Sequence, residues 1–470
     1  MRLYNTISKK IEEFIPLDAP NVSFYTCGPT VYDYVHIGNL RTYTNNDILR
    51  RVLIYNNYKV KHVMNITDVG HLTGDVDTGE DKLEKGAQKQ KKSVWEAARY
   101  FTDYFFNAVD QLNILRPDIV CRATEHIPAM IDLITRLHAK HLTYETDQAV
   151  YFDTEAFQKY GVLTTQNKDE KLIGARAEIV VDPAKKNPED FVLWFKRVGR
   201  FAHHVMQWDS PWGSGFPGWH IECSAMSMQY FGDTIDIHAG GIDLIPIHHE
   251  NEIAQSEGAT GKLFVRYWFH GEFLLVEGKK MSKSLNNFYT IDDIKKKGIH
   301  PLALRYLFLQ SHYRTQMNCT WSALWSAHTG YKRLLDTVSI LRKQTNRQSL
   351  SEEKLSDIDE YRSRFNTALS YDLQTPIALS VMYELIKSNI PSSDKYELLL
   401  EFDRVLGLSL TAIDDEKIPD KIIFLAEQRK NARQKKEFIN ADIVRKKIEK
   451  LGYDIEDKND EYFLKKTSEI

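Results

Sequence analysis

Apolar and polar positions alternate through residues 21–26, NVSFYT, before a Gly28-Pro29 break, and that two-residue period predicts a strand. From Asn46 onward the period lengthens, so that Ile48, Leu49, Val52 and Leu53 share one helical face. Residues 60–70, VKHVMNITDVG, return to strand texture and end in a polar loop. Strand, turn, helix and strand over 21–70 make a βαβ unit, which predicts a parallel sheet with a nucleotide at its strand ends. Residues 93–115 and 125–142 read as amphipathic helices. From about 145 to 210 the texture shifts to short β segments, QAVYFDT and EIVVD, between Lys, Pro and Gly turns, as expected of an insertion that splits the nucleotide-binding fold. Alternation of α and β resumes over 206–270: GWHIECSAMSMQY is helical, DTIDIHAGG a strand, HHENEIAQSEGA a helix and VRYWFH a strand. Beyond Pro301 the pattern is helical nearly to the end, with a polar linker candidate from Lys343 to Glu353 and no internal repeat.

At 470 residues the chain exceeds what one core can serve, so several domains are expected. Apolar residues at 42% argue for packed globular structure rather than disorder. With 62 basic and 65 acidic side chains the net charge is −3, so a nucleic-acid partner needs a local basic face. The opening MRLYNTISKKIEEF carries charges early and has no apolar core region, so no signal peptide is read there, and no apolar run is long enough for a membrane span. Cys27, Cys121, Cys223 and Cys319 are widely spaced, without a C-x-x-C pair. That excludes a disulfide framework and points to a reducing cytoplasm.

Two motifs carry phosphate chemistry. In VHIGNLR, Val35 to Arg41, the small Gly38 lets a ligand approach the backbone where a helix begins, and free N–H groups there favour phosphate. His36 and Asn39 add donors, although the same residues read equally as a helix cap. In KKMSKSLNN, Lys279 to Asn287, the loop lysines Lys280 and Lys283 can neutralise a polyphosphate whose charge grows during reaction, where a solvated surface loop is the bland alternative. Together the motifs resemble the two signatures of class I aminoacyl-tRNA synthetases. The chemistry this implies is attack of a carboxylate on the α-phosphate of ATP, which needs positioning and charge stabilisation more than a general base.

A third constellation involves sulfur. Cys27 follows the first strand, Cys223 lies in GWHIECSAM, and His248 and Glu252 are spaced by four on one helix face. Two thiolates, an imidazole and a carboxylate match the donors zinc takes. The register stays open, because His249 lies three residues before Glu252, and buried cysteines are also common as plain hydrophobes. H-E-x-x-H is absent, which argues against a zinc hydrolase with Glu250 or Glu252 as base.

The motifs CGPTVYDYVHIGNLR, NITDVG, PGWHIECSAMS, GGIDLIPIHHENEIAQSE and KKMSKSLNNF, in order through residues 20–315, resemble the cysteinyl-tRNA synthetase family. The resemblance implies an α/β, Rossmann-like parallel-sheet catalytic domain split by an insertion, then an all-α helical bundle and a small anticodon-binding domain. It implies residues 1–120 as the first catalytic half, 121–205 as the connective insertion, 206–270 as the second half, 271–318 as the loop and stem-contact region, 319–410 as the bundle and 411–470 as the anticodon-binding domain. It places one zinc ion on Cys27, Cys223, His248 and Glu252, with the substrate's thiolate as an added ligand. ATP falls to His36, Gly38, Asn39 and Lys283, with Lys280 assisting and Mg2+ accompanying the nucleotide. The cysteine pocket falls to Thr67, Trp219 and Asp243, with His220 near the adenylate. The implied partners are L-cysteine, ATP and tRNA(Cys), and a cytoplasmic monomer without membrane contact is expected. The chain departs from the family pattern at Asn39, Phe216, Gly271 and Asn286, where histidine, a basic residue, asparagine and glycine are usual.

Residues 421–450 carry ten Lys or Arg against four acids, a local excess in a chain that is net acidic. Ala441, Val444, Ile448 and Leu451 step as a helical stripe expected to be buried, and Tyr453, Tyr462 and Phe463 follow as candidate platforms for stacked bases. The basic module favours a tRNA acceptor over the nearest rival, a cysteine ligase passing its adenylate to a small amine. The intact loop lysines argue against a non-catalytic RNA-binding relative.

Overall fold

The structure is a computed structural model, and it describes residues 1–70, 81–164, 182–281, 287–344, 350–411, 419–458 and 461–466. The segment EIVVD falls largely outside these residues, as do Lys283, Asn286 and the middle of the expected linker. The chain divides into two compact units, Met1–Leu410 and Thr411–Ile470.

The first unit opens with a hairpin of β1 (Arg2–Asn5) and β2 (Lys10–Glu13). The alternating NVSFYT forms β3 (Asn21–Thr26), followed by helix α1 (Ile37–Tyr55) and β4 (Lys59–Ile66). Helices α2 (Lys82–Gln90) and α3 (Val94–Gln111) precede β5 (Ile119–Arg122) and α4 (Ile127–Ala139). An antiparallel sheet of β6 (Thr143–Glu145), β7 (Ala149–Phe152), β8 (Phe191–Lys196) and β9 (Gly215–Pro217) is inserted here. This sheet runs from Thr143 to Pro217, close to the 145–210 read from texture; Ile119–Arg122 pairs in parallel with β4, and Gly215–Pro217 pairs with β8.

After the insertion come α5 (Trp219–Phe231), β10 (Ile235–Gly241), α6 (Glu250–Thr260) and β11 (Val265–Gly271). The parallel strands lie in the order β11-β10-β3-β4-β5. Right-handed crossovers that run outward from β3 to β5, and then from β10 to β11, put the connecting helices on opposite faces. The direction reverses between β3 and β10, so the crevice beyond the carboxyl ends of those two strands is where a ligand is expected. All seven residues of β10 are buried, as a strand covered on both faces requires.

A small sheet of β12 (Leu274–Val276), β13 (Lys279–Lys280) and β14 (Met317–Cys319) follows, with α7 (Ile291–Lys296) and α8 (Pro301–Leu309) between its second and third strands. Helices α9 (Trp321–Lys343), α10 (Glu352–Ser370), α11 (Thr375–Lys387) and α12 (Ser392–Leu406) complete the first unit. No helix among the described residues is long and apolar enough to cross a membrane.

The second unit pairs α13 (Asp420–Gln434) with α14 (Phe438–Lys450) and ends, not in helix, but in an antiparallel hairpin of β15 (Tyr453–Lys458) and β16 (Glu461–Lys466). Its core joins Ile422, Ala426, Ile448, Tyr453 and Ile455, with Val444 packed against it. Ala441 is buried as well, but Leu451, just past the end of α14, is exposed. Tyr453 is therefore core rather than a stacking platform, and the Tyr462 hydroxyl donates to Glu427 at 2.7 Å.

Candidate active site and metal centre

Cys27 leaves the end of β3 and Gly240-Gly241 ends β10, so both border the switch point. A cavity of about 530 Å3 opens there, a volume suited to a small ligand. Its lining includes Cys27, Gly28, His36, Asn39, Trp219, Asp243 and Met281. Thr67 and His220 are buried and absent from that lining. Thr67 lies behind it, with its hydroxyl donating to Glu222 at 2.7 Å and accepting from the Asn65 amide at 3.2 Å.

Metal-ligating atoms converge under the cavity. The Cys27 and Cys223 sulfurs are 3.8 Å apart, and Cys27 lies 3.9 Å from Glu252 Oε1. His248 Nε2 is 3.0 Å from the same oxygen. Among the described residues two four-residue sets result, both sharing Cys27 and Glu252: one adds Cys223 and His248, the other His238 and His249. A π-helical turn, Ile245–His249, runs straight into α6 and turns both neighbouring histidines inward, which explains the open register in the sequence. Of the two sets, only the first supplies two thiolates. For bonds of about 2.3 Å a tetrahedral zinc requires sulfurs roughly 3.8 Å apart. The donor set and its spacing therefore fit zinc.

The electrostatics behind the ligands are built from histidine. Burial alone would raise the Glu252 carboxyl, but His238 and His248 hold it down at about 2. His238 Nε2 reaches Glu252 Oε2 at 2.7 Å, which leaves Oε1 toward the sulfurs. Burial would lower His248, yet Glu252 and Cys223 raise it to about 10. His220 is pushed well down by burial and by His248, so its Nδ1 accepts from His248 Nδ1 at 3.0 Å. His248 therefore faces Glu252 through Nε2, and Trp219 stacks on its ring at 4.3 Å. His249 hands its Nδ1 to His270 at 2.7 Å, and His270 continues to the Thr6 hydroxyl at 2.7 Å. Sequence reasoning missed His238, His270 and Glu222. The available signal was a histidine or carboxylate at a position where strand or helix is otherwise buried.

At the mouth of α1, His36 and Asn39 form a reciprocal capping box. His36 Nδ1 accepts from the Asn39 amide at 3.1 Å, and Asn39 Oδ1 accepts from the His36 amide at 3.4 Å. Burial lowers His36 to about 4, so the ring is neutral at pH 7 and its proton sits on Nε2. The Ile37 amide is taken by the Tyr289 carbonyl at 2.9 Å, so fewer free amides remain than a bare helix end offers. A side chain at Gly38 would begin 3.0 Å from the His36 ring and 3.1 Å from Met281 Cε, so only glycine leaves the approach clear. Lys280 is exposed, its ammonium 5.6 Å from the Phe273 ring centre, and Lys283 lies outside the described residues.

Three departures from the family pattern find physical reasons. Phe216 is fully buried and stacks on His204 at 3.9 Å, serving the core of the inserted sheet rather than a charge. At Gly271 a side chain would start 2.8 Å from the Asn45 amide nitrogen, which already fills that space. Asn39 supplies half of the capping box. The hydrolase alternative loses Glu250 as a base, because the backbone amides of Gly161, Leu163 and Thr164 all donate to its carboxylate.

Residues 13–329 match the family described as tRNA synthetases class I (C) catalytic domain. The chain is 46% identical to the cysteine–tRNA ligase of Treponema denticola, across 97% of this chain and 98% of that one. It is 42% identical to cysteine–tRNA ligase 1 of Burkholderia lata, across 97% and 95%. Mycobacterium tuberculosis methionyl-tRNA synthetase in complex with methionyl-adenylate is similar in fold, with a TM-score of 0.55 at 16% identity over 83% of this chain and 90% of that one. Identity of this extent along the whole chain, on a doubly wound sheet with its cavity at the switch point, means that the chain belongs to the cysteine–tRNA ligase family of class I aminoacyl-tRNA synthetases.

Proposed function

We propose that this chain condenses L-cysteine with ATP to cysteinyl adenylate, releasing pyrophosphate, and then esterifies the cysteinyl group to the 3′ end of tRNA(Cys). The observation that carries the reading is the two-thiolate cluster directly under the switch-point cavity, with Cys27 belonging to both. Cys27, Cys223, His248 and Glu252 would hold zinc, which would supply a thiophilic site that favours a substrate sulfur over a hydroxyl. Such selection matters because serine and cysteine differ by one atom, a difference that an apolar pocket rejects poorly.

The remaining roles follow from the side chains. Asp243 offers the substrate ammonium a carboxylate at the cavity wall, and Trp219 offers the apolar wall beside it. Thr67 and His220 act from behind, orienting Glu222 and His248. Neutral His36 presents Nε2–H, and Asn39 its amide, to the ATP phosphates over Gly38. Lys280 and Lys283 are the loop cations that meet the pyrophosphate charge as the α-phosphate is attacked, and Mg2+ accompanies ATP. In the second unit the basic helices α13 and α14 are the proposed surface for the tRNA backbone near the anticodon. Pyrophosphate exchange measured with each amino acid in turn, alongside metal analysis, tests the reading. Exchange dependent on cysteine and one zinc per chain are expected; exchange indifferent to cysteine refutes it.

A further inference from the structure

Arg41 lies on α1, five residues after His36, and is 1% exposed. Its Nη1 donates to the carbonyls of Glu272 and Phe273 at 3.0 and 2.7 Å. Its Nη2 donates to those of His312 and Thr315 at 3.3 and 2.7 Å. The first pair of carbonyls joins β11 to β12, and the second lies in the loop that leads into β14. Those strands pair in parallel, Leu274 with Met317 through Val276 with Cys319, so one guanidinium grips the entry to both. β12 in turn pairs with β13, whose Lys279 and Lys280 are exposed and directly precede Met281, which lines the cavity beside Gly38.

Among the described residues no carboxylate makes an ion pair with Arg41. A buried guanidinium whose two Nη groups are held by four carbonyls from two loops, with only its Nε left without a hydrogen bond among the described residues, is a geometric clamp, and its planar fork is what lets one side chain span them. A lysine keeps the charge but presents one nitrogen, which cannot hold two pairs of carbonyls at once.

We propose that Arg41 is a positioning residue for adenylate formation, fixing the lysine-bearing hairpin β12–β13 against the phosphate-binding end of α1. It touches no substrate; it acts through Lys280. This rests on the proposed ATP-dependent activation of cysteine. If the wild-type chain shows no cysteine-dependent pyrophosphate exchange, that reading fails before any variant is compared.

The test takes the zinc-loaded full chain with Arg41→Lys, Arg41→Met, Lys280→Ala and the double variant Arg41→Lys/Lys280→Ala. Each is assayed for pyrophosphate exchange and, by calorimetry, for L-cysteine binding. Misplacement of about an ångström costs on the order of 100-fold, so Arg41→Lys should lower exchange kcat by about 10- to 100-fold. Cysteine affinity should stay within about twofold, since the sulfur-binding side lies on other elements. Because Arg41 acts through Lys280, the double variant should be little slower than the slower single variant. Multiplying losses would reduce Arg41 to a general structural role and overturn the proposal, as would wild-type exchange in Arg41→Lys. Should Arg41→Met fail to fold, Arg41→Lys decides. If neither variant binds cysteine, Arg41 is a folding determinant and the proposal fails.

Discussion

Replacing one sulfur tells which of the two overlapping donor sets holds the ion. Cys223 belongs only to the set with two thiolates and His249 only to the other. Four-donor structural zinc sites bind with apparent free energies of about 10–16 kcal/mol, so one donor is worth very roughly a quarter, about 2.5–4 kcal/mol. Cys223→Ser should therefore weaken zinc by roughly 10²–10³-fold in chelator competition. His249→Asn disturbs contacts behind the proposed ligands, its Nε2 lying 3.3 Å from the Cys27 sulfur and its Nδ1 2.7 Å from His270, and should cost about tenfold. Cobalt gives a second reading, because sulfur-to-metal absorbance depends on how many thiolates ligate. It should weaken in Cys223→Ser and persist in His249→Asn. Cysteine-dependent pyrophosphate exchange should fall with zinc content in the first variant. The reverse order, with His249→Asn losing the ion and Cys223→Ser keeping it, would refute the two-thiolate assignment and with it the account of thiol selection.

Three further outcomes follow. Removing residues 411–470 should abolish tRNA charging while sparing cysteine-dependent exchange; full charging by the shortened chain contradicts a tRNA role for the basic unit. Asp47→Ala strips the counter-charge from two buried guanidiniums, Arg51 at 2.8 Å and Arg305 at 2.6 Å, and removes the acceptor of the Leu115 amide. Removing one partner of a buried pair costs about 3–5 kcal/mol, seen as an earlier urea transition, and a loss under about 1 kcal/mol would contradict it. His204, in contact with Asp81 at 2.8 Å and near Glu84, would be lowered by burial, but the Asp81 hydrogen bond and charge raise it instead. A raised folded value stabilises fully below the unfolded value near 6.5 and is lost as pH climbs through the folded one. The melting-temperature gap between wild type and His204→Gln should thus narrow from pH 6 toward pH 9, and a gap that widens would reverse the sign.

Much of the catalytic fold is legible because period and burial agree. NVSFYT alternates, IDIHAGG is a continuous buried run, and Ile48, Leu49, Val52 and Leu53 of α1 are buried together as their shared face requires. What is not legible depends on partners distant in sequence. Nothing local marks Ile119–Arg122 as a strand, and only its pairing with β4 assigns it to the parallel sheet. FVLWFK is buried over five of six residues as β8, yet nothing local distinguishes it from a helical core segment. The terminal hairpin was hidden by charge: Lys and Glu on β15 and β16 mask the two-residue period, while Tyr453 and Ile455 turn inward to the small core. At the metal cluster, spacing alone left His248 and His249 equivalent. The π-helical turn turns both inward, and the two candidate sets then differ in Cys223, from a helix 25 residues earlier in the chain, which groups with His248 and not with His249.

The two readings of VHIGN, helix cap and phosphate site, turn out not to be alternatives. A cap needs an acceptor at His36 Nδ1, and the Asn39 amide provides the donor at 3.1 Å. Once Nδ1 is committed, a neutral imidazole can keep its proton only on Nε2, and burial, by lowering the ring to about 4, keeps it neutral at pH 7. The tautomer that a phosphate donor requires is thus fixed by the capping bond itself. A glutamine at position 36 could still cap through its oxygen and still donate through its nitrogen, whereas an alanine could do neither. The helix start and the proposed ATP contact are therefore coupled through one ring.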